Sequence, residues 1–429
     1  MSDVQTPAIG TARRWSMLGL SMMAQMSGTV IVQGTAGLIP TLHRDHGMSL
    51  ARAGFLAGMP ILGMMVTLIA WGAVVDRVGE RWVLAVGLGL TALAGLGMIL
   101  STSYVGIGFF LFLGGTTAAC ANAASGRVVI GWFPPERRGL TMGIRQMAQP
   151  LGVGLGALTI PRLAETHGIH VAWIFPTAFV GVMAAICALF VIDPPRPSRS
   201  AAMASGQMAN PYKQGSLLWR IHGVSILLQV PQLVVWNFAL VWLIAQHGWS
   251  PVAAGLLVTV SQILGALGRL VVGWISDRIG SRMRPLRAIT VCACLAMLGL
   301  GLADGLDLPV AVAMLVIASI VTVADNGLAF TSVAEIGGPF WGGRAMGMQN
   351  TGQFLVSAFI PSGIGALIGA IGYPATFALT AIFPLIAMPV VPKTDRLEPV
   401  AVAAVPPSAT SPIPAPAAAV ATTQEGQGA

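Results

Sequence analysis

The sequence predicts an all-α membrane protein of twelve transmembrane helices arranged as two pseudo-symmetric six-helix halves. Three observations carry this. Hydrophobic residues make up 55% of the 429 residues and charged residues only 9%, whereas soluble domains carry roughly 25% charged residues. Apolar runs near the ~20 residues needed to cross a bilayer recur along the whole chain. The second half of the chain also repeats motifs of the first. This composition excludes an ordinary soluble enzyme, a nucleic-acid-binding domain and a disordered protein.

Taken in order, the spans are expected at 15–40, 51–75, 82–101, 104–131, 139–161 and 171–192, then at 217–245, 251–275, 287–303, 309–334, 345–370 and 373–392. Each is an apolar run bounded by charged or turn residues. The first, from Trp15, is too long for a signal peptide and lacks a small-residue cleavage site, so it reads as a true span. Residues 1–14 form an N-terminal tail, 15–192 the first half and 217–392 the second. Between the halves, 193–216 begins Asp193-Pro-Pro-Arg-Pro-Ser-Arg-Ser and reads as a linker. Residues 393–429 are an Ala/Pro-rich tail too poor in large apolar residues to build a core, and are expected to be disordered. Pro60, Pro150, Pro231 and Pro361 lie inside spans and should bend them. Gly152, Gly154 and Gly156 allow close helix packing. Cys120, Cys187, Cys292 and Cys294 all lie in apolar runs and read as small buried hydrophobes rather than a disulfide framework.

Basic residues set the orientation. With the N-terminus cytoplasmic, 17 of the 23 fall in inner segments and three, Arg44, Arg52 and Arg162, in outer ones; Arg127, Arg145 and Arg269 lie within spans. The net charge of +8 is therefore a topology signal and not a nucleic-acid site. Both termini are expected on the cytoplasmic side of an inner membrane.

The repeat is the most informative feature. Gly72-Ala-Val-Val-Asp76-Arg77-Val-Gly79-Glu-Arg81 recurs as Gly273-Trp-Ile-Ser-Asp277-Arg278-Ile-Gly280-Ser-Arg282, at an offset of 201. His46-Gly47-Met-Ser49 matches His247-Gly248-Trp-Ser250 at the same offset. Further on the offset is 204: Gly139-Leu-Thr-Met142-Gly143 matches Gly343-Arg-Ala-Met346-Gly347, Asn122 matches Asn326, and Gln149 matches Gln353. Two parallel halves place a substrate site near the bilayer midplane, between them.

These paired loops resemble the signature of the major facilitator superfamily. Trp132-Phe-Pro-Pro-Glu-Arg-Arg-Gly139-Leu-Thr-Met-Gly143 looks like that family's loop between helices four and five, and the resemblance covers roughly residues 15–392. Gly143-Ile-Arg145-Gln-x-x-x-Pro150-Leu-Gly is similar to cyanate and nitroimidazole-resistance transporters. Other family features are missing. No arginine stands near Leu111, and the drug-antiporter Gly-Pro run survives only partly, as Gln149-Pro150-Leu-Gly152-Val-Gly154. The nitrate-porter Gly-Asn runs and the sugar-porter Pro-Glu-Ser loop are absent. The resemblance implies a secondary transporter working as a monomer by rocking of its halves. It also implies an inner gate in which Asp76 meets the N-terminus of helix eleven and Asp277 that of helix five. Arg77, Arg81, Arg269, Arg278 and Arg282 belong to the same expected gating set.

Charges inside spans are few and costly. Asp325 is the candidate proton-coupling group, because a carboxyl group taken out of water favours its neutral form. The other readings fix it by hydrogen bonds or pair it with Arg269. Arg145 is the candidate anion site, with snorkelling to the inner interface as its alternative. Gln149, Gln353, Asn122 and Asn326 are candidate substrate contacts, and Gln25, Gln33, Gln229, Gln232 and Asn237 are further cavity candidates. His222 reads as interfacial, and the remaining histidines as solvated loop residues.

The chain shows no P-loop, no intramembrane metal cluster and no nucleophile–base pair at useful spacing, so neither an enzyme nor a metal or cofactor is expected. The expected partners are a small-molecule substrate, protons and the lipid bilayer, with no nucleic acid. The function that fits is proton-coupled symport of a small organic solute, anionic if Arg145 binds it. The alternatives are proton-driven efflux of drugs or metabolites, favoured by the Met-rich first span, and a membrane sensor that no longer transports.

Overall fold

A computed structural model describes residues 9–44 and 47–395. The tail beyond Asp395, most of residues 1–14, Arg396 of the topology count and His46 of the repeat lie outside the described residues. The first half comprises α1 (Thr11–Gly34, continued by the turn Thr35–Leu38 and Ile39–Arg44), α2 (Leu50–Val78), α3 (Glu80–Leu100), α4 (Tyr104–Trp132), α5 (Pro135–Gln146 and Ala148–His167) and α6 (Ile169–Ala172 and Ile174–Phe190). The second comprises α7 (Leu217–Ala245), α8 (Pro251–Ile279) and α9 (Met283–Gly305), followed by the helices of Ala311–Val390. Gly338 (φ 58°) and Gly372 (φ 79°) separate helices within this segment. A left-handed φ of this kind is readily adopted only by glycine. The breaks divide the stretch into α10 (Ala311–Val321 and 325–337), α11 (339–371) and α12 (373–380 and Ile382–Val390). Among the described residues, twelve helical spans in two six-helix halves result.

The observed helices run past several expected ends. α2 continues to Val78 and α8 to Ile279, where positive-φ Gly79 and Gly280 end them. Asp76 and Asp277 therefore sit in last helical turns, not in loops. α5 starts at Pro135 rather than at 139, because proline at the first helical position gives up no hydrogen bond.

Three apolar clusters show how the halves join. One is built only from first-half residues, around Leu84, Leu88, Ile31 and Trp173. Another is built only from second-half residues, around Val234, Trp242, Leu300 and Phe377. The third is shared: Met17, Leu18, Val129 and Met142 pack with Leu218, Leu286, Leu328 and Met346. All of these lie toward the arginine-rich face, here called inner. The halves thus share a core at their inner ends, and farther along the spans Phe354 of α11 packs against a first-half cluster of Val32, Met64 and Leu68.

The linker is tied to both halves. Arg196 donates to the carbonyls of Val75 and Asp76 and pairs with Glu80 at 2.9 Å. Further on, Met208 C=O accepts from Trp341 Nε1 at 3.2 Å, and the Tyr212 hydroxyl meets His222 Nε2 at 2.9 Å. Burial pushes the Tyr212 phenol above its ordinary range, so it stays protonated. His222 is buried, with Gln349 on its other nitrogen, rather than interfacial. At the outer end of the second half, buried Asp304 accepts from Trp242 Nε1 at 3.0 Å and meets His247 Nε2 at 3.1 Å, so His247 is not a free loop side chain.

One pair of acids escaped sequence reading. Asp193 Oδ1 accepts the N–H groups of Glu80 and Arg81, both at 2.7 Å, at the start of α3. Asp395 Oδ1 does the same for Arg282 and Met283 at the start of α9. Both follow the last helix of their half and cap its third. Asp193→Ala and Asp395→Ala should each lower stability by about 1 kcal/mol, the usual worth of an N-cap. Thermal unfolding of the detergent-solubilised protein checks this, and each should lower the midpoint while a surface control such as Arg199→Ala leaves it in place.

Candidate functional site

At the inner face, two contacts of one design join the halves. Asp76 accepts the backbone N–H groups of Gly343 at 2.8 Å and Arg344 at 3.1 Å, in the first turns of α11. Asp277 accepts those of Gly139 at 2.8 Å and Leu140 at 2.9 Å, in the first turns of α5. A carboxylate there meets unpaired N–H groups and the positive end of the helix dipole. Only glycine permits the approach. A Cβ on Gly72 would lie 2.3 Å from Gly343 O, and one on Gly273 would lie 2.4 Å from Gly139 O.

The charges around these acids are arranged with opposite polarity in the two halves. Arg127 on α4 lies 2.8 Å from Asp76 and 3.0 Å from Glu80, and Arg344 reaches Asp76 at 3.1 Å. In the second half the loop supplies the base: Arg282 pairs with Asp277 at 2.5 Å and with Glu335 of α10 at 3.1 Å, and donates to Pro135 C=O at 2.7 Å. Of the expected gating arginines, Arg282 crosses between halves here. Arg77 and Arg278 are exposed, and Arg81 turns back to Ala188 C=O within its own half. Arg127 and Arg344, read only as structural and topological residues, hold Asp76 instead.

Beyond these contacts lies a cavity of about 600 Å³ between the halves, reaching as far as Gly54, one turn from the outer end of α2. Eleven of its lining side chains are Asn or Gln. Asn122, Gln149, Asn326 and Gln353 are all on the wall, as are Gln25, Gln33, Gln229, Gln232 and Asn237. Gln146 and Asn350 were not singled out in the sequence. The floor echoes the repeat. Gln25 Nε2 donates to Asn122 Oδ1 at 3.3 Å and Ser125 Oγ donates to Gln25 Oε1 at 2.9 Å. Opposite, Asn326 Nδ2 donates to Gln232 Oε1 and Gln353 Nε2 to Asn326 Oδ1, each at 2.9 Å. None of the methionines of α1 lines the wall.

The charged groups lie differently from expectation. Arg145 is buried but is not on the wall. It stands one layer behind: Nε donates to Ser125 Oγ at 3.0 Å, Nη2 to Asn122 C=O at 2.7 Å, and Nη1 to the Gln146 carboxamide oxygen. Its guanidinium also lies 5.6 Å from the Phe330 ring centroid. It neither faces the cavity directly nor snorkels to the interface. The cation on the wall is Arg269. Its Nε donates to Val323 C=O at 3.1 Å, in the turn that splits α10, and its Nη1 to Gln146 C=O at 3.2 Å. Gln146 C=O is open to it because Pro150, four residues on, has no N–H to offer. Gln146 is thus held by both arginines, its side chain by Arg145 and its backbone by Arg269. Two of the five guanidinium donors of Arg269 are used: Nη1 is engaged, and the Nη2 edge makes no hydrogen bond among the described residues.

Asp325 is fully buried beside Asn326, at the start of the inner segment of α10. Its Oδ1 has no hydrogen-bond partner, and no cation lies within 4 Å of it among the described residues. Arg269 is the cation whose charge it feels. Among the described residues, then, two buried guanidinium groups at the cavity are answered by one acid and otherwise only by dipoles.

A family model described as Major Facilitator Superfamily matches residues 17–361 and 234–422. An uncharacterized MFS-type transporter of Mycobacterium tuberculosis is 48% identical over 383 residues, 89% of this chain and 86% of that one. A probable nitrate/nitrite transporter of Mycobacterium tuberculosis is 27% identical over 259 residues, covering 59% of this chain and 64% of its own. A solved proton:xylose symporter shares the fold with a TM-score of 0.69 at 16% identity, covering 89% of this chain and 95% of its own.

The inner contacts predict the effect of adding one carbon. Gly72→Ala and Gly273→Ala place a Cβ against backbone that cannot retreat without separating the helices. Each should move the resting population away from the inner-closed state. In a Cys292→Ala background, a cysteine at Ser357 on the cavity wall should then react more slowly with a membrane-impermeant thiol reagent added outside. Unchanged labelling in both variants would count against these contacts as the inner closure.

Proposed function

This chain belongs to the major facilitator superfamily, a multi-pass membrane family of secondary transporters, and we propose that it carries a small organic anion together with protons. The observation behind this reading is the pair of buried arginines. A buried charge is normally paired, yet Arg145 and Arg269 have only Asp325 between them. An anion held on the free edge of Arg269 supplies the missing negative charge, and the carboxamide wall offers donors and acceptors to the rest of the solute. Arg145 acts from behind: it adds positive potential and fixes Gln146, Asn122 and, through Ser125, Gln25. This replaces its reading as a direct substrate contact. Asp325 is the proton site. Ionised, it answers Arg269; protonated, it leaves that guanidinium to the solute.

The similarity to a probable nitrate/nitrite transporter supports an anionic cargo. The shared fold with a proton:xylose symporter is compatible with proton drive. The charge count supports placing the arginine-rich face in the cytoplasm, and uptake is the direction this reading takes. The eleven carboxamides favour a polar solute, while Leu62, Met65, Trp236 and Phe354 on the same wall are what the efflux alternative would use.

Uptake of a panel of labelled organic anions into proteoliposomes, alkaline inside, tests the reading. Arg269→Gln removes a charged hydrogen-bond donor worth about 1.5–3 kcal/mol, so apparent affinity for the anion should fall at least tenfold. Asp325→Asn should leave binding in place and abolish the response to the pH gradient. Arg145→Lys should retain more affinity than Arg145→Gln, since a lysine keeps the charge but not the three-way hydrogen bonding. An Arg269→Gln variant with unaltered affinity would remove the anion site from this position.

A further inference from the structure

We infer that the site is built for a solute with a single negative charge, a hydroxylated monocarboxylate, which enters with one proton so that transport is electroneutral. This rests on the anion reading above and goes further, to the charge of the solute and the stoichiometry.

The argument is a count of buried charge. Three charged side chains surround the cavity floor: Arg145, Arg269 and Asp325. The neighbouring charges are committed elsewhere. On α4, Arg127 is held by Asp76 and Glu80. On α7, His222 has the Tyr212 hydroxyl on Nε2 and the Gln349 oxygen on Nδ1, and a neutral ring satisfies both. On α9, Arg284 and Arg287 are exposed at its inner end, and Asp304 at its outer end is held by Trp242 and His247. With Asp325 ionised, the empty floor therefore carries one net positive charge. A monoanion arriving with one proton for Asp325 leaves that total unchanged. A monoanion alone takes it to zero and sets two carboxylates against one free guanidinium edge. A dianion with one proton also changes the total, and its second carboxylate meets only carboxamides. Burying or exposing charge in a low-dielectric site is the expensive step, so the exchange that keeps the buried charge constant is the one with the smallest electrostatic barrier.

Geometry gives the rest of the class. The Nη2 edge of Arg269, unused among the described residues, offers donors to one carboxylate. Carboxamides around a cavity of about 600 Å³ can each donate to or accept from a hydroxyl group.

Proteoliposomes holding the full chain and a luminal pH dye, adsorbed on a solid-supported membrane, read proton entry and charge displacement together. The probes are gluconate and lactate as monoanions, succinate and tartrate as dianions, and glucose as a neutral control, near neutral pH where the acids are ionised. A gluconate or lactate jump should acidify the lumen by one proton per solute with no charge displacement. The dianions should be taken up at least tenfold more slowly. Asp325→Asn should bind the monoanion within threefold of wild type but no longer acidify the lumen. A charge displacement accompanying wild-type monoanion uptake, or equal uptake of dianions, overturns the inference while leaving an anion carrier standing. If no anion produces uptake, and glucose or none of the probes does, the anion reading falls and this inference with it. The wild-type signals decide the matter even if the Asp325→Asn variant fails to fold.

Discussion

A charge inside a membrane protein must be answered by something, because the hydrocarbon offers it nothing. Most of what distinguishes this chain follows from how each buried charge is answered. Asp76 and Asp277 are answered by backbone N–H groups of the opposite half, and Arg127 and Arg282 by acids of their own half. Arg145 and Arg269 are answered by a hydroxyl group, carbonyls and a carboxamide. The first set closes the inner end. The second is left electrostatically incomplete beside a cavity, and the proposed anion site rests on that.

The inner contacts have the right strength for a carrier. A carboxylate on a helix N-terminus contributes from a few tenths up to ~2 kcal/mol when partly buried. Two such contacts, with the arginines that flank them, bias an equilibrium between states by a few kcal/mol, the range in which ligands shift populations. Much stronger contacts would trap one state. The linker follows the same closure, since Arg196 grips the end of α2 while Tyr212 and Met208 grip α7 and α11.

Much of this was legible in the sequence, for a physical reason. A duplicated fold places duplicated side chains in equivalent positions, so offsets of 201 and 204 led to Asp76 and Asp277, to Asn122 and Asn326, and to Gln149 and Gln353. What the offsets could not reveal was direction around a helix. Gln146, one residue from Arg145, takes the place on the wall, and the break after it, together with Pro150, decides which way each points. The caps Asp193 and Asp395 were hidden because each is a single acid with unlike neighbours, recognisable only by the N–H groups it meets. The opposite polarity around the gates was hidden too, since pairing Arg127 with Glu80, or Arg282 with Glu335, depends on contacts between helices distant in sequence. The apolar runs separated α10, α11 and α12 in the sequence, and the positive φ angles of Gly338 and Gly372 mark the breaks between them.

The repeat also shows where the two halves part company. At the same offsets, Arg145 corresponds to Gln349, Arg269 to Leu68 and Asp325 to Ala121. The closing contacts and the carboxamide wall are therefore symmetric, and the charges are not. Symmetry suits parts that must do the same thing at each half, such as shutting the inner end. A coupled anion and proton need one site, not two, and that site must feel the motion between halves. Gln146 meets both requirements: it belongs to the first half, its side chain is held by Arg145, and its carbonyl is held by Arg269 of the second. Any rocking that separates α5 from α8 must break the Arg269–Gln146 bond and free a further donor on that guanidinium. On the proposed reading, the affinity of the anion site is tied to the position of the halves by a single backbone carbonyl, left open by a proline.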